Sequence, residues 1–311
     1  MYDQRIEALA KTFIYYSCAL KPGENVLIEA NDESEVLARA LVKEAYRAGA
    51  TPYVWLRQSR LERLLIEGAN QSQLELMKES DRAFMEKMDA YIGLRAGLNN
   101  AELSDVTPEK QAQYAAVYRR PVGAVRMNKK WCTTHFPTPA MAQMAGMSTD
   151  AFEDFYFKVC NVDYAKMRRA MEPLKELMEK TDEVHILGPG TDIRFSIKGL
   201  PAVCCAGDKN LPDGELFSAP VAGSINGVIS YNTPSLFEGF VFENVKLTYK
   251  EGRLIDAQAN DTERIRAIFD RDDGAKGVGE FSAICAEQRP LVRLPAATRR
   301  STTATLIKVF R

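Results

Sequence analysis

Histidine is nearly absent from this sequence, which contains only His135 and His185 among 311 residues. That scarcity excludes a histidine-rich zinc cage, so any metal site has to rely on carboxylate oxygens. His135 stands at the end of a predicted strand and His185 lies inside an apolar one. We interpret both as structural residues rather than ligands.

The motifs of two common enzyme classes are also missing. The segment GPGTDIRF, which begins at Gly188, satisfies neither G-x-G-x-x-G nor G-x-x-x-x-G-K-[ST], and no helix pattern follows it. No G-x-S-x-G nucleophile elbow occurs, since AGSING around Ser224 fails the spacing. The sequence therefore argues against a bound nucleotide cofactor and against a serine nucleophile of that type.

Charge and hydropathy disfavour two kinds of partner. The formal net charge is -1, so no overall field attracts nucleic acid or an anionic membrane. No apolar run approaches the ~20 residues that a membrane-spanning helix needs. The amino terminus carries Asp3 and Glu7 and has helical periodicity, unlike a signal or transit peptide. We expect a cytoplasmic protein without nucleic-acid or membrane partners.

The cysteines give no sign of a disulfide framework. There are six and they form no C-x-x-C pair, while Cys204 and Cys205 are adjacent and unsuited to an ordinary bridge. We predict that they are reduced and mostly buried.

The length suits two domains, and the first half reads as an α/β domain. Short apolar strands at 25–30 and 51–56, around Ile92 and around Cys132, alternate with helix patterns. Such alternation is typical of parallel strands joined by crossover helices. On the helix between the first two strands, the spacing of Val36, Ala40, Leu41 and Ala45 predicts the buried face.

Several local signals predict where elements begin and end. Thr107-Pro108 and Thr138-Pro139 each read as an N-cap followed by proline in the first turn. A long helix pattern from Asp163 to Lys180 includes Pro173, and strands and turns dominate beyond it. We therefore place the domains at 1–180 and 181–311. Within the second, VKLTYKEGRLIDAQA predicts a hairpin around Gly252 and Asp261 a helix start.

Two glutamates stand beside glycines on short segments of the second domain. Glu215 follows a predicted Pro212-Asp213-Gly214 turn and opens a strand, and Glu280 lies between Gly279 and Phe281. A carboxylate held on a rigid segment suits a hard divalent cation. A solvated surface carboxylate is the competing interpretation for each.

The chain resembles the thermophilic-type metalloaminopeptidases, the aminopeptidase T and aminopeptidase S family. The similar stretches are ALKPGENVLIEA, LVKEAYRAGATPYV, FPTPAMAQMAGMS, NLPDGELFSAP and GVGEF, and they cover about residues 1 to 281. The last two are the specific matches. The fold expected is an amino-terminal parallel-sheet α/β domain followed by an α+β metallopeptidase domain that is incomplete here.

The resemblance implies a function and a site. Glu215 and Glu280 fall on two glutamates that ligate paired catalytic metals in the family. Two divalent ions per chain, cobalt, zinc or magnesium, would bind the α-amino group and scissile carbonyl of a peptide and activate a bridging water. The expected product is the released amino-terminal residue, and the expected assembly is a homodimer.

The sequence after Phe281 departs from the family pattern. The family continues with a histidine ligand, a tyrosine near the metals and a late His-x-Asp pair, and this sequence has no histidine beyond His185. From about residue 282 it is instead basic, with Arg289, Arg293, Arg299, Arg300, Lys308 and Arg311. We expect a truncated or frameshifted carboxyl terminus and impaired peptidase activity.

Two alternatives remain open. The chain is an inactive remnant or binding protein with an incomplete metal site, or it is a metal-free hydrolase that uses two carboxylates, as glycosidases do. The second alternative lacks an aromatic-rich sugar platform in the sequence.

Overall fold

The protein is described here from a computed structural model, which describes residues 3–237, 240–271, 273–285 and 303–308. The α-helices, numbered in chain order, are α1 (Gln4–Lys11), α2 (Glu35–Arg47), α3 (Ser59–Gly68), α4 (Gln71–Glu86), α5 (Pro108–Tyr114), α6 (Arg120–Met127), α7 (Pro139–Met144), α8 (Thr149–Cys160), α9 (Tyr164–Lys180) and α10 (Thr262–Phe269). A π-helical stretch, Thr12–Ser17, extends α1 and another, Ala115–Arg119, joins α5 to α6; 3₁₀ turns cover Asp32–Ser34 and Gly274–Lys276.

The strands are numbered in the same way. They are β1 (Asn25–Asn31), β2 (Thr51–Arg57), β3 (Ala90–Arg95), β4 (Lys130–His135), β5 (Glu183–Gly188), β6 (Thr191–Ser196), β7 (Val203–Cys205), β8 (Asn210–Leu211), β9 (Glu215–Ser218), β10 (Asn226–Ser230), β11 (Ser235–Phe237), β12 (Phe240–Phe242), β13 (Lys246–Lys250), β14 (Arg253–Gln258), β15 (Glu280–Cys285) and β16 (Thr303–Lys308).

Packing divides the chain into two units. The first unit comprises residues 1–164 and 207–213, and the second comprises 165–206 and 214–311. The division differs from the sequence-based limits because α9 supplies Met171 and Met178 to the core of the second unit. The proposal of folding domains at 1–180 and 181–311 stays a prediction.

The first unit is built on a parallel sheet with strand order β2-β1-β3-β4-β8. All but the last residue of β3 is buried, as expected of a central strand that helices cover on both faces. The last strand, β8, is held to β4 by Thr134, whose Oγ1 donates to the Leu211 carbonyl at 2.6 Å and lies 2.7 Å from the Tyr156 hydroxyl.

The second unit is built mainly of antiparallel sheets. One has the order β14-β13-β10-β6-β5, another the order β16-β15-β9-β7, and β11 pairs with β12. The shared core includes Ile193, Phe195, Leu216, Leu247 and Phe281. This mixed architecture confirms the α/β fold class, with one parallel sheet and further antiparallel ones.

Most of the local signals are confirmed. Thr107 and Thr138 cap α5 and α7 through their side chains, each helix has proline in its first turn, and Asp261 caps α10. β13 and β14 form the hairpin around Gly252.

The predicted face of α2 is confirmed at Leu41 and Ala45, which are buried, and wrong at Val36. Val36 is 42% exposed, whereas Leu37, Ala38, Leu41, Glu44 and Ala45 are buried. Val36 and Leu37 each have an apolar residue four positions later, so the spacing permits either one to begin the buried face. Packing buries Leu37, and the buried face is therefore centred one residue further along.

In the described part of the chain, no helix combines the length and the hydropathy needed to cross a bilayer.

Candidate functional site

Glu215 opens strand β9, as the sequence predicts. The peptide bond between Leu211 and Pro212 is cis, and Gly214 has a φ of +150°. The Asp213 carboxylate accepts a hydrogen bond of 2.9 Å from the Gly207 amide. The segment before Glu215 is thus tied by its own backbone and side-chain contacts, and the Glu215 side chain is half-buried.

Glu280 opens strand β15, after the 3₁₀ turn Gly274–Lys276. Its side chain is half-buried and its Oε1 atom is buried, so the interpretation of a fully solvated carboxylate does not describe it. The next three residues, Phe281 to Ala283, are all buried.

The two glutamates lie on the same face of neighbouring antiparallel strands. In the register, Ser218 opposes Phe281 and Glu215 opposes Ile284. Directly opposed residues share a face and alternate residues return to it, so Glu215 and Glu280 point to one side of the sheet. They are four positions apart along the strands, roughly 14 Å at about 3.4 Å per residue.

Other residues of this face were not identified from the sequence as neighbours of the glutamates. Phe217 opposes Ser282 between the glutamates on this face, and Cys205 of β7 lies directly opposite Glu215. Cys205 is half-buried whereas Cys204 is buried. Alternation along the strand from Val203 predicts that Cys204 and Cys205 point to opposite faces of the sheet. Only the strand pairing shows that Cys205 lies opposite Glu215.

The donor set determines how well this face suits a metal pair. Two carboxylates supply hard oxygen ligands of the kind that divalent ions take. Each ion needs about four or more donors, and no group of three or more His, Cys, Asp or Glu side chains in the described residues is arranged to hold a metal. The described residues therefore supply too few donors to complete a co-catalytic metal site, and metal ligation by Glu215 and Glu280 stays a prediction.

The remaining sequence predictions about ligands concern histidine and cysteine. The His185 Nε2 atom lies 2.8 Å from Asp192 Oδ1 across the β5–β6 hairpin, a structural contact. His135 ends β4, and desolvation first and the nearby Arg95 second lower its pKa. Cys18, Cys132, Cys160 and Cys204 are buried thiols and Cys205 is a half-buried one.

Most of the basic residues noted after Phe281 lie outside the described residues. These are Arg289, Arg293, Arg299, Arg300 and Arg311. Lys308 ends β16, which pairs antiparallel with β15.

Comparison with known proteins places this architecture in context. A family model described as thermophilic metalloprotease (M29) matches residues 2–294, beyond the limit of about residue 282 expected from the motifs. Aminopeptidase PepS of Streptococcus thermophilus is 25% identical over 91% of this chain and 77% of its own length. Aminopeptidase T of Thermus thermophilus is also 25% identical, over 92% of this chain and 78% of its own length.

A solved structure, that of wild-type AmpT from Thermus thermophilus, has a similar fold. It superposes with a TM-score of 0.77 at 22% sequence identity, over 91% of this chain and 79% of the other. The likeness supports the mixed α/β architecture described above.

Proposed function

Because the chain belongs to the thermophilic metalloprotease (M29) family, whose members are hydrolases, we propose that it is a metal-dependent aminopeptidase of reduced activity. Its substrates are peptides with a free amino terminus, and its product is the released first residue. The observation that supports this proposal is the placement of Glu215 and Glu280 on one face of adjacent strands.

The two glutamates have the same proposed role. Each donates a carboxylate to a divalent ion of a co-catalytic pair, which when bound supplies an activated water for attack on the peptide carbonyl. Cobalt, zinc and magnesium are the proposed ions. Strand pairing fixes the backbones of both glutamates, so this chain contributes ligand positioning.

The reduced activity follows from the ligands that the sequence holds. No histidine follows His185, and the described residues supply fewer ligands than two ions need. We propose that binding of the ion pair is weak and that peptidase activity is correspondingly low. A homodimer remains part of the proposal on the resemblance alone, and a cytoplasmic location remains part of it on the amino-terminal sequence.

The shortage of ligands also favours a second candidate function. An inactive remnant or binding protein keeps the fold without turnover. It is distinguished from the first by whether stoichiometric metal binding depends on Glu215 and Glu280.

Calorimetric titration with Co²⁺, Zn²⁺ and Mg²⁺ tests the two ligands. We expect weak saturable binding by the full chain, lost in Glu215→Gln and in Glu280→Gln. Glu243→Gln, which alters an exposed carboxylate of the same unit, serves as the matched control and should bind normally. Metal binding that survives both ligand substitutions would show that these glutamates are not the ligands.

Hydrolysis of leucine and alanine p-nitroanilides with added Co²⁺ tests turnover. We expect a rate at least about 100-fold below that of Thermus thermophilus aminopeptidase T. In metal enzymes, loss of a residue that only hydrogen-bonds to a metal ligand already lowers activity by up to about that factor. Robust turnover contradicts the proposed impairment. Metal binding without any turnover supports the binding protein. The absence of both metal binding and turnover supports the inactive remnant.

A further inference from the structure

A cavity of 370 Å³ opens in the first unit, where β1, β2 and β3 end. Its lining includes Asn31, Arg57 and Arg95, which are the last residues of these three parallel strands. In the strand order β2-β1-β3, β2 pairs with one edge of β1, and β3, the next strand along the chain, pairs with its other edge. Open parallel sheets bind ligands outside the carboxyl ends of strands at such a switch point.

The floor of this cavity, which we call the switch-point pocket, is a partly buried ionic network. Glu29, whose side chain is 14% exposed, accepts a hydrogen bond of 2.6 Å from Arg126 and lies 3.6 Å from Arg57. Arg57 also donates to Asp81 at 3.1 Å, and Asp81 accepts from the Tyr118 hydroxyl at 2.5 Å. The acidic groups at the floor are therefore already occupied by arginines and a tyrosine of the same unit.

Gly93 leaves space for the Tyr91 hydroxyl at the floor of the pocket. A Cβ atom there would lie 2.9 Å from the Tyr91 hydroxyl. The absence of a side chain lets Tyr91 donate to Glu29 at 3.3 Å, and the Arg126 guanidinium lies 4.6 Å from the centre of the Tyr91 ring. Desolvation raises the pKa of the Tyr91 phenol, which is a donor at neutral pH in any case.

In the lining as a whole, positive charge exceeds negative charge. Four arginines and two glutamates line the pocket, and Asp81, which is not part of the lining, pairs with Arg57. Within the described residues, no carboxylate pairs with Arg95 or Arg119, and the Nε atom of Arg126 is buried without an acceptor. Arg95 and Arg119 therefore remain available to an anion that enters the pocket.

The remaining walls are apolar and aromatic. Leu61 and Leu65 of α3, Met77 of α4 and Val122 of α6 line the pocket, and Tyr114 donates to Glu62 at 3.0 Å. A volume of 370 Å³ is at the small end of the range of about 300–1,000 Å³ for small-molecule sites. The walls fit a compact apolar body and exclude a folded macromolecule.

We propose that the switch-point pocket binds a small organic anion, a carboxylate or phosphate carried on an apolar or aromatic body. Its anionic group pairs with the guanidinium groups of Arg95, Arg119 and Arg126, which line the pocket, because guanidinium groups bind both kinds of anion with matched geometry. Its body lies against the leucines of α3. The site is separate from the proposed peptidase function, and binding alone tests it.

Phenyl phosphate and phenylacetate are the probes, titrated at low ionic strength into the full chain and followed by calorimetry and by tryptophan fluorescence. The Arg57 guanidinium lies 4.7 Å from the centre of the Trp55 ring, so the emission reports on the pocket. We expect saturable binding of at least one probe, with the comparison between them identifying the preferred head group. Benzyl alcohol, the neutral control, should not bind.

Neighbouring arginines provide a matched pair of variants. Both residues are exposed, but only Arg119 lines the pocket, and it has no ion-pair partner in the described residues. Arg119→Gln therefore removes a pocket cation, whereas Arg120→Gln removes the adjacent cation outside the pocket. We expect Arg119→Gln to weaken the anion about ten- to hundredfold and Arg120→Gln to leave it unchanged. Arg126→Gln should also weaken it, and Arg119→Gln covers the case in which loss of Arg126 prevents folding.

Three results would overturn the proposal. The first is no binding of either probe up to about 10 mM, a range that already includes millimolar sites. The second is equal weakening of binding by Arg119→Gln and Arg120→Gln. The third is binding of inorganic phosphate as tight as that of phenyl phosphate. The last result would show that the apolar walls do not contribute.

Discussion

The two units offer different surfaces for function. Helices cover the parallel sheet of the first unit, so the polar residues that line its pocket lie where strands β1 to β3 end. The β7–β9–β15 sheet of the second unit buries Leu216 and Phe281 on one face, while the other carries half-buried Glu215 and Glu280. A doubly covered sheet restricts ligands to its strand ends, whereas an antiparallel sheet can present side chains along a face.

The largest expected effect tests the buried face of an antiparallel sheet. Leu247 of β13 is fully buried and Leu187 of β5 is 68% exposed, in the same sheet. We expect Leu247→Ala to lower the free energy of unfolding by about 2–5 kcal/mol and Leu187→Ala by less than about 0.5 kcal/mol. Urea denaturation followed by far-UV circular dichroism measures both.

Equal losses in the two leucine variants would contradict the assignment of one buried face. The far-UV signal is needed because both tryptophans, Trp55 and Trp131, lie in the first unit and do not report on β13.

The next effect tests whether the ionic floor of the first unit is structurally essential. Glu29→Gln leaves Arg57 and Arg126 without their shared carboxylate, and we expect a loss of about 3 kcal/mol, since breaking a largely buried pair strands a charge. Glu183→Gln breaks an exposed pair with Arg194 and should cost at most about 1 kcal/mol. Tryptophan fluorescence in urea follows the first variant and circular dichroism the second.

A loss below about 1 kcal/mol for Glu29→Gln would mean that water satisfies the two arginines. The pocket would then lack the fixed floor on which the proposed anion site depends.

The smallest effect concerns the thiols. Desolvation raises the pKa of Cys18 and of Cys160 from 9.0 to about 12. The folded state therefore retains protons that the unfolded state loses above pH 9, so stability is full below that pH and falls as pH rises toward 12. Between pH 9 and 10 we expect a loss of about 1 kcal/mol per cysteine.

Urea denaturation at pH 8, 9 and 10 compares Cys18→Ala with the unaltered chain. The variant should lose less stability over this interval, whatever its stability at pH 8. Cys205→Ala, at a half-buried position of the second unit, is the control and should keep the full alkaline loss. An unchanged pH dependence in Cys18→Ala would show that its thiol ionises equally in both states.

Signals that depend on a few neighbouring residues were predicted well from the sequence. The N-caps at Thr107, Thr138 and Asp261, the hairpin around Gly252 and the strand start at Glu215 are each set by local backbone requirements. The alternation of strands and helices also predicted the parallel sheet, because parallel strands need crossover connections.

Features that depend on distant pairing were not predicted. The spacing on α2 predicted the burial of Leu41 and Ala45, but packing buried Leu37 in place of Val36. The juxtaposition of Cys205 with Glu215 arises from strand register, and the switch-point pocket combines residues from Glu29 to Arg126 across several elements. Local periodicity does not determine such combinations.

Strand β8 has a consequence for dissecting the molecule. The chain passes between the units at 164–165, 206–207 and 213–214, so the first unit is not a continuous segment. An expressed fragment that stops at Lys180 would lack β8, leave β4 as an open sheet border and remove the Leu211 carbonyl that the Thr134 hydroxyl contacts. One proteolytic nick cannot release either half intact, and grafting residues 207–213 after a linker is the direct way to obtain the first unit alone.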